Sequence, residues 1–321
     1  MSAILEQMHA GAARLADTLA SEAAPLGVEV SRLAHGARLI DAGVRVTGSI
    51  EAGRLYAECC LGGLGRVGVE AARLGRATIL EARVAVDQPL VACMASQYAG
   101  WRIQVGSFFA MGSGPARSLA AAEPLFEKYP LRSRSETTVL LLETGVLPGA
   151  DVADHVASRC GVAPASLTLI AASTGSLVGS TQIAARSVET ALHKLLELGF
   201  DLTSIVAGAG CCPIAPGTPD ALRAIGRTND AVLYGARVVL WARCDDRDVD
   251  EVIDRLPSSS SKDHGRLFHD LFREYGGDFY KIDPMLFSPA QVSVLNVSTG
   301  RVFSNGSTDE VMLKKSFGID G

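Results

Sequence analysis

Apolar and polar positions alternate along this chain with two periods, and the changes between them outline its elements. The first segment has the helical period, with Glu6, Arg14 and Asp17 on its polar side, and ends at Pro25 and Gly27. Strand-like runs follow at 28–33 and 37–46. A helix is predicted from about 49 to 60, leading into the glycine cluster LGGLGRVG and then strands near 66–71 and 77–86. Pro89 opens another helix, and 101–106 reads as a strand. Ser113-Gly114-Pro115 marks a loop entering a helix, because proline suits a first helical turn.

The second half begins after a polar stretch, 130–134, that reads as a connection between domains. VLLLETG (139–145) and LTLIAAS (167–173) have the unbroken apolar character of buried strands, with a helix at 151–160 between them. The small-residue run STGSLVGST precedes a helical pattern over 181–194. TSIVAGAG (203–210) is a strand running into a proline-punctuated loop. SSSSKDHG (258–265) is the one low-complexity piece and reads as a mobile loop. QVSVLNVSTGRVFSNG reads as a hairpin. Helices and strands are interleaved without a repeating β-α order, so the fold class expected is α+β (mixed α/β). Two domains are expected, 1–132 and 133–321, with either open to construction from discontinuous segments.

Composition narrows the class. The 321 residues are 48% hydrophobic and 20% charged, which is ample core for a globular chain. A formal net charge of -5, with no basic run, argues against a nucleic-acid binder. No apolar stretch is long enough to span a bilayer, and the N-terminus lacks a basic start followed by an apolar core. The seven cysteines include two adjacent pairs, Cys59-Cys60 and Cys211-Cys212, and show no C-x-x-C spacing. Buried free thiols in a reducing cytoplasm fit this best. The six histidines are scattered, without a zinc-deaminase or other metal-ligand pattern, so no catalytic metal is expected.

The stretch TQIAARSVETALHK (181–194) carries the most chemistry. Taken as a helix, it puts Arg186 and Glu189 three residues apart on one face, with His193 and Glu197 continuing the stripe. Val188, Leu192 and Leu195 fall on the opposite, apolar face. By itself this describes a solvated face with an ordinary ion pair. A second motif competes for attention. Gly63, Gly65 and Gly68 form a literal GxGxxG, with Glu81 and Asp87 near the distance of a ribose-binding acid. A dinucleotide site needs a strand before those glycines and a helix after them. The preceding EAGRLYAECC reads as a helix, so a turn is favoured over a nicotinamide site.

Five ordered strings then place the chain in context: MASQYAGW (94–101), FAMGSGPAR (109–117), the Arg186–Glu189 segment, GRTNDAVLYG (226–235) and DFYKIDPMLFSPA (278–290). Together they resemble the methenyltetrahydromethanopterin cyclohydrolase family, from about Met94 to Phe317. The resemblance implies hydrolysis of the methenyl bridge of a reduced pterin to the 5-formyl compound, with the pterin as substrate and no cofactor. It implies two domains with a pocket between them, and a homo-oligomer, a trimer. The family's R-S-[IV]-E-T segment carries an essential Arg and Glu, so Glu189 is the expected base and Arg186 its partner. Arg186 holds Glu189 ionised, positions the water or binds the pterin carbonyl; the residues leave these open. Arg227, Asn229 and Asp230 are expected at the polar edge of the pterin, although Asn and Asp also serve as caps. Ser96, Gln97, Ser113 and Gly114 suit a pocket wall. Tyr280 and Lys281 are expected to meet substrate, Lys281 through an anionic tail, while Met285, Leu286 and Phe287 pack. Asp283 is equally a turn residue or a contact. GAGCCPIAP departs from the less cysteine-rich form associated with archaeal members, which leaves Cys211 and Cys212 without a role. Two alternatives stand beside this reading: a nicotinamide-dependent oxidoreductase using the glycine loop, and a non-catalytic pterin-binding protein.

Overall fold

The computed structural model describes residues 1–278 and 281–319. The chain opens with α1 (Ser2–Ser21), α2 (Ala23–Leu26), β1 (Glu29–Arg32), β2 (Arg38–Gly43) and α3 (Ile50–Cys60), followed by β3 (Gly65–Leu74) and β4 (Ala77–Val86). A π-helical segment, Leu90–Gln97, leads to β5 (Trp101–Val105), β6 (Phe108–Ser113), α4 (Ala116–Ala120) and α5 (Leu125–Lys128). Next come β7 (Thr138–Glu143), α6 (Ala150–Cys160), β8 (Leu167–Ala172), α7 (Leu177–Ala184) and α8 (Ser187–Glu197). The chain closes with β9 (Ile205–Pro213), α9 (Ala221–Gly235), β10 (Arg237–Ala242), α10 (Asp246–Asp250), α11 (Phe268–Glu274), β11 (Gln291–Asn296), β12 (Val302–Gly306) and α12 (Glu310–Phe317). The fold is α+β with two mixed sheets, as the interleaved pattern indicates.

The chain forms two compact units, and both are discontinuous. Unit 1 is Met1–Arg66 with Val91–Gln182; unit 2 is Val67–Leu90 with Ile183–Gly321. The polar segment 130–134 therefore lies inside unit 1. Its polarity suggests a linker, but it is tied down: Ser133 Oγ lies 2.7 Å from His9 Nε2 on α1, and its N–H donates to Ser118 O at 3.1 Å. Burial pushes the His9 imidazole down to about 4, so the ring is neutral and serves as a hydrogen-bonding partner.

In unit 1 the sheet order is β1-β2-β8-β7-β6-β5, with β2 and β7 parallel to β8 and the outer pairs antiparallel. Both faces are covered, which is why the central strands read as continuous apolar runs. Val139, Leu141, Ile170 and Ala172 pack with Leu19, Leu55 and Tyr56 from α1 and α3. Leu140, Leu142, Leu169 and Ala171 pack on the opposite face with Val152 and Val156 from α6. The glycine cluster links α3 to β3, so the order is helix–turn–strand. That is the reverse of what a dinucleotide loop needs. Gly62 and Gly63 adopt positive φ there, and a Cβ on Gly11 would stand 2.3 Å from Gly62 O. These glycines serve the packing of α1 against the turn.

In unit 2 the sheet order is β12-β11-β10-β9-β4-β3. β10 and β11 are parallel, and β9 is antiparallel to both β4 and β10. Helices α8 and α9 lie against the sheet through β9. The serine run is not a mobile loop. Ser258 is fully buried and its hydroxyl donates to Leu233 O at 2.5 Å; Ser261 donates to Asp283 Oδ2 at 2.7 Å. Low complexity suggested solvation, yet these hydroxyls are the internal partners of buried carbonyls and a carboxylate. The expected hairpin is present as β11 and β12. Among the described residues, no helix is long and apolar enough to cross a membrane.

Candidate active site

The 181–194 stretch folds as two helices where its periodicity suggests one. α7 ends at Ala184 and α8 begins at Ser187. Hydroxyls within α7 bond backward along the helix, Ser180 Oγ to Ser176 O at 2.9 Å and Thr181 Oγ1 to Leu177 O at 2.7 Å. Such back-bonding bends helices. The Arg186 N–H then closes a tightened turn on Ile183 O at 3.0 Å, and Arg186, with ψ 5°, becomes the residue that starts α8. The break puts Glu189 in the first turn of α8. Acidic side chains are favoured there, where unpaired N–H groups and the positive end of the helix dipole lie.

Neither residue lies on a solvated face. Arg186 is 8% exposed and Glu189 6%. Arg186 Nη1 is 3.8 Å from Glu189 Oε2, within ion-pair reach but too long for a hydrogen bond. Val188, Leu192 and Leu195 point into the core as their spacing requires. His193 Nε2 stands 3.7 Å from Glu197 Oε1 further along the stripe. The start of α8 is seated on β9 by two glycines. A Cβ on Gly208 would lie 2.7 Å from Val188 Cγ1, and one on Gly210 would lie 2.6 Å from Ser187 Oγ. The AGAG run of β9 is therefore what lets the helix bearing Arg186 and Glu189 approach the sheet this closely.

The other expected residues of unit 2 fall into three situations. Asn229 and Asp230 lie inside α9, whose N-cap is Asp220, so neither is a cap. Asp230 is 0% exposed and accepts from Phe268 N–H at 2.9 Å and Ser316 Oγ at 2.6 Å. Burial pushes its carboxyl up to about 7, and the two hydrogen bonds act against that rise. Both of its oxygens thus join α9 to α11 and α12. Asn229 Nδ2 donates to Ile225 O at 2.8 Å, and Arg227 Nε donates to Ser316 O at 3.1 Å. Lys281 is exposed, with its N–H donating to Asp278 O at 3.2 Å. Asp283 makes a turn, its Oδ1 accepting from Met285 N–H at 3.0 Å; Leu286 is buried. Tyr280 lies outside the described residues. Cys212 is buried on the helix side of β9, while Cys211 faces a shallow groove of about 500 Å³ on the other side, beside Glu81 and Arg237. Burial, with Glu81 adding to it, pushes the Cys211 thiol up.

In unit 1, Ser96, Gln97, Ser113 and Gly114 are drawn together. Ser96 Oγ donates to Cys60 O at 2.6 Å, Ser113 Oγ is 3.4 Å from Cys60 Sγ, and Gly114 N–H donates to Ser96 O at 2.7 Å. Gly114 has a φ of 101°, and a Cβ there would stand 2.6 Å from Leu141 Cδ1. Sequence reasoning passed over the residue that holds this knot. Arg117 is fully buried and donates through Nη1 to Met94 O at 2.9 Å and Ser96 O at 3.2 Å. It also pairs with Glu123 and lies over the rings of Tyr98 and Phe126. The signal was present as the Arg ending GSGPAR, but an arginine after a helix start reads as surface. Two more side chains were passed over. Glu143 accepts from Thr174 Oγ1 at 2.7 Å and Gln182 Nε2 at 3.1 Å. Lys194, on α8, is wholly buried. Among the described residues, no three His, Cys, Asp or Glu side chains converge as a metal site.

The chain matches the Cyclohydrolase (MCH) family over residues 8–317. It is 47% identical over 307 residues to the methenyltetrahydromethanopterin cyclohydrolase of Xanthobacter autotrophicus, covering 95% of this chain and 91% of that one. The protein of the same name from Methylobacterium organophilum is 44% identical, with 94% and 95% covered. That of Methanothermobacter marburgensis is 42% identical, with 96% and 98% covered.

Proposed function

From a chain that belongs to the Cyclohydrolase (MCH) family, we propose how its own residues carry out the reaction. It is a hydrolase acting on 5,10-methenyl-tetrahydromethanopterin, giving the 5-formyl compound. The methenyl carbon lies between two nitrogens and carries cationic character. Water attacks it, forming a C–O bond, and a base takes the water's proton. The hydroxyl so formed then gives up its remaining proton as the C=O bond forms, the bond to one nitrogen breaks with its electron pair on that nitrogen, and a proton is delivered there. The formyl group remains on N5, and one proton is released overall. Glu189 is the base. A carboxylate accepts the proton and also attracts the cationic ground state. Arg186 orients Glu189 and supplies positive charge beside the oxygen when the carbinol hydroxyl loses its proton during collapse. The observation that carries this assignment is the pair itself, withdrawn from solvent at the start of one helix. Ser96, Gln97, Ser113, Gly114, Arg227, Asn229, Tyr280 and Lys281 are proposed to shape or contact the pterin site. Asp230 is proposed to serve it through the packing of α9.

The test is purified protein mixed with methenyl-tetrahydromethanopterin, followed by loss of the substrate's absorbance. Full turnover is expected after exhaustive chelation and without any nicotinamide, since neither a metal nor a redox carrier enters the steps above. Activity lost on chelation and restored by zinc would overturn the metal-free scheme. Tight pterin binding with no turnover would favour a non-catalytic binding protein. The seven free thiols support placement in the cytoplasm.

Assembly into a homo-oligomer, a trimer, belongs to the same proposal. In support, the face of the unit 2 sheet opposite α8 carries Val239, Trp241, Leu295 and Val302, the last 64% exposed. Both signs of charge lie in the same face, with Arg237 2.8 Å from Glu81 and Arg83 3.3 Å from Glu70. A second copy presents groups of both signs to such a patch, which suits self-association. Trp241→Lys combined with Val239→Asp is expected to reduce the mass in solution to that of one chain, read by light scattering. An unchanged mass would remove this face from the interface.

A further inference from the structure

A buried cation in unit 2 that the scheme above leaves unused is Lys194. It lies on α8, five residues after Glu189, and is 0% exposed. An ammonium buried without partners costs several kcal/mol, so its partners define its purpose. Lys194 Nζ donates to Ser260 Oγ at 3.2 Å and to Met285 O. These acceptors come from two separate pieces of chain, the turns Ser258–Ser260 and Pro284–Leu286. The two turns are joined to each other as well. Ser261 Oγ donates to Asp283 Oδ2 at 2.7 Å, and Asp283 N–H donates to Asp263 Oδ2 at 3.1 Å. Ser258 N–H donates to Pro289 O at 3.0 Å. Burial pulls the ammonium down to about 8, against the attraction of Asp283 and with the repulsion of Arg255. An apolar side chain would fill the same volume without that desolvation and would hold neither turn.

Lys281, exposed, lies two residues before Asp283 and four before Met285. We propose that Lys194 is a positioning residue for substrate binding: it fastens the 281–288 segment, which presents Lys281, to the helix that carries Glu189. One rigid element then sets both the base and the contact for the substrate's anionic tail. The proposal rests on the functional reading above, specifically on Lys281 as a substrate contact.

Lys194→Met keeps the length of the side chain and removes its donors. Amide exchange over 281–288, read by mass spectrometry, is expected to quicken roughly tenfold or more while α9 and β10 keep their protection. KM for the methenyl pterin should rise roughly tenfold, with kcat within about threefold of normal, the signature of lost binding without lost chemistry. The rise in KM should shrink toward nothing when Lys194→Met is made in a Lys281→Ala background, because both changes then remove one contact. Ser260→Ala removes one of the two acceptors and should move exchange and KM in the same direction by less; it decides the matter if Lys194→Met does not fold. Unchanged exchange, unchanged KM, or a KM effect of equal size in the Lys281→Ala background overturns the proposal. Failure of the reading it rests on is separate: it appears as an unchanged KM in Lys281→Ala alone, whatever the exchange data for Lys194→Met show.

Discussion

Glu189→Gln is expected to lower turnover of the methenyl pterin by roughly two to four orders of magnitude, the range for loss of a general base. The substitution keeps the shape of the side chain and removes its ability to accept a proton from water. The fold should survive. Glu189→Gln is a polar change of the same shape, and the apolar face of α8, Val188, Leu192 and Leu195, is untouched. Arg186→Ala should also reduce turnover, through lost orientation and charge. A purely structural pair makes the opposite forecast: turnover stays and the melting temperature falls. Measuring kcat and the thermal midpoint on the same two variants separates these outcomes. Near-normal turnover in Glu189→Gln would sink the catalytic assignment, even with the family assignment standing.

The second large effect is on stability. Arg117→Met should cost roughly 3–5 kcal/mol, because one partner of a buried ion pair is removed and the other is left uncompensated. Glu123 would lose its guanidinium, Met94 O would lose the Arg117 donor, and Ser96 O would keep Gly114 N–H but lose its bond from Arg117. For a unit of this size that corresponds to a fall of ~10 °C in the melting of unit 1. Adding Glu123→Leu should recover part of the loss, since the stranded charge is then gone. Scanning calorimetry reads both variants. A shift of only a degree or two for Arg117→Met would mean that the pair is solvated, and the account of the unit 1 knot would fail.

Much of this protein is determined by its sequence alone. β7 and β8 were legible because strands covered on both faces are apolar at every position. The inward face of α8 was legible because Val188, Leu192 and Leu195 recur at helical spacing. Arg186 and Glu189 stood out because a rare string of residues surrounds them. What the tertiary structure decided concerns partners that are distant along the chain. Periodicity joins 181–194 into one helix, whereas hydroxyl back-bonding and the seat on Gly208 and Gly210 break it and turn Arg186 and Glu189 inward. The segment 130–134 reads as a linker by its polarity, yet His9, more than a hundred residues earlier, and Ser118 tie it into a unit. The serine run reads as solvated until Lys194, Leu233 and Asp283 are seen to use its hydroxyls. Asp230 reads as a ligand or a cap, yet Phe268 and Ser316 occupy both of its oxygens. The reason is common to all four. Local spacing reports which face of an element is apolar, but a polar side chain looks the same in sequence whether it meets water or a buried partner. Only the fold brings that partner within 3 Å or so, the reach of a hydrogen bond.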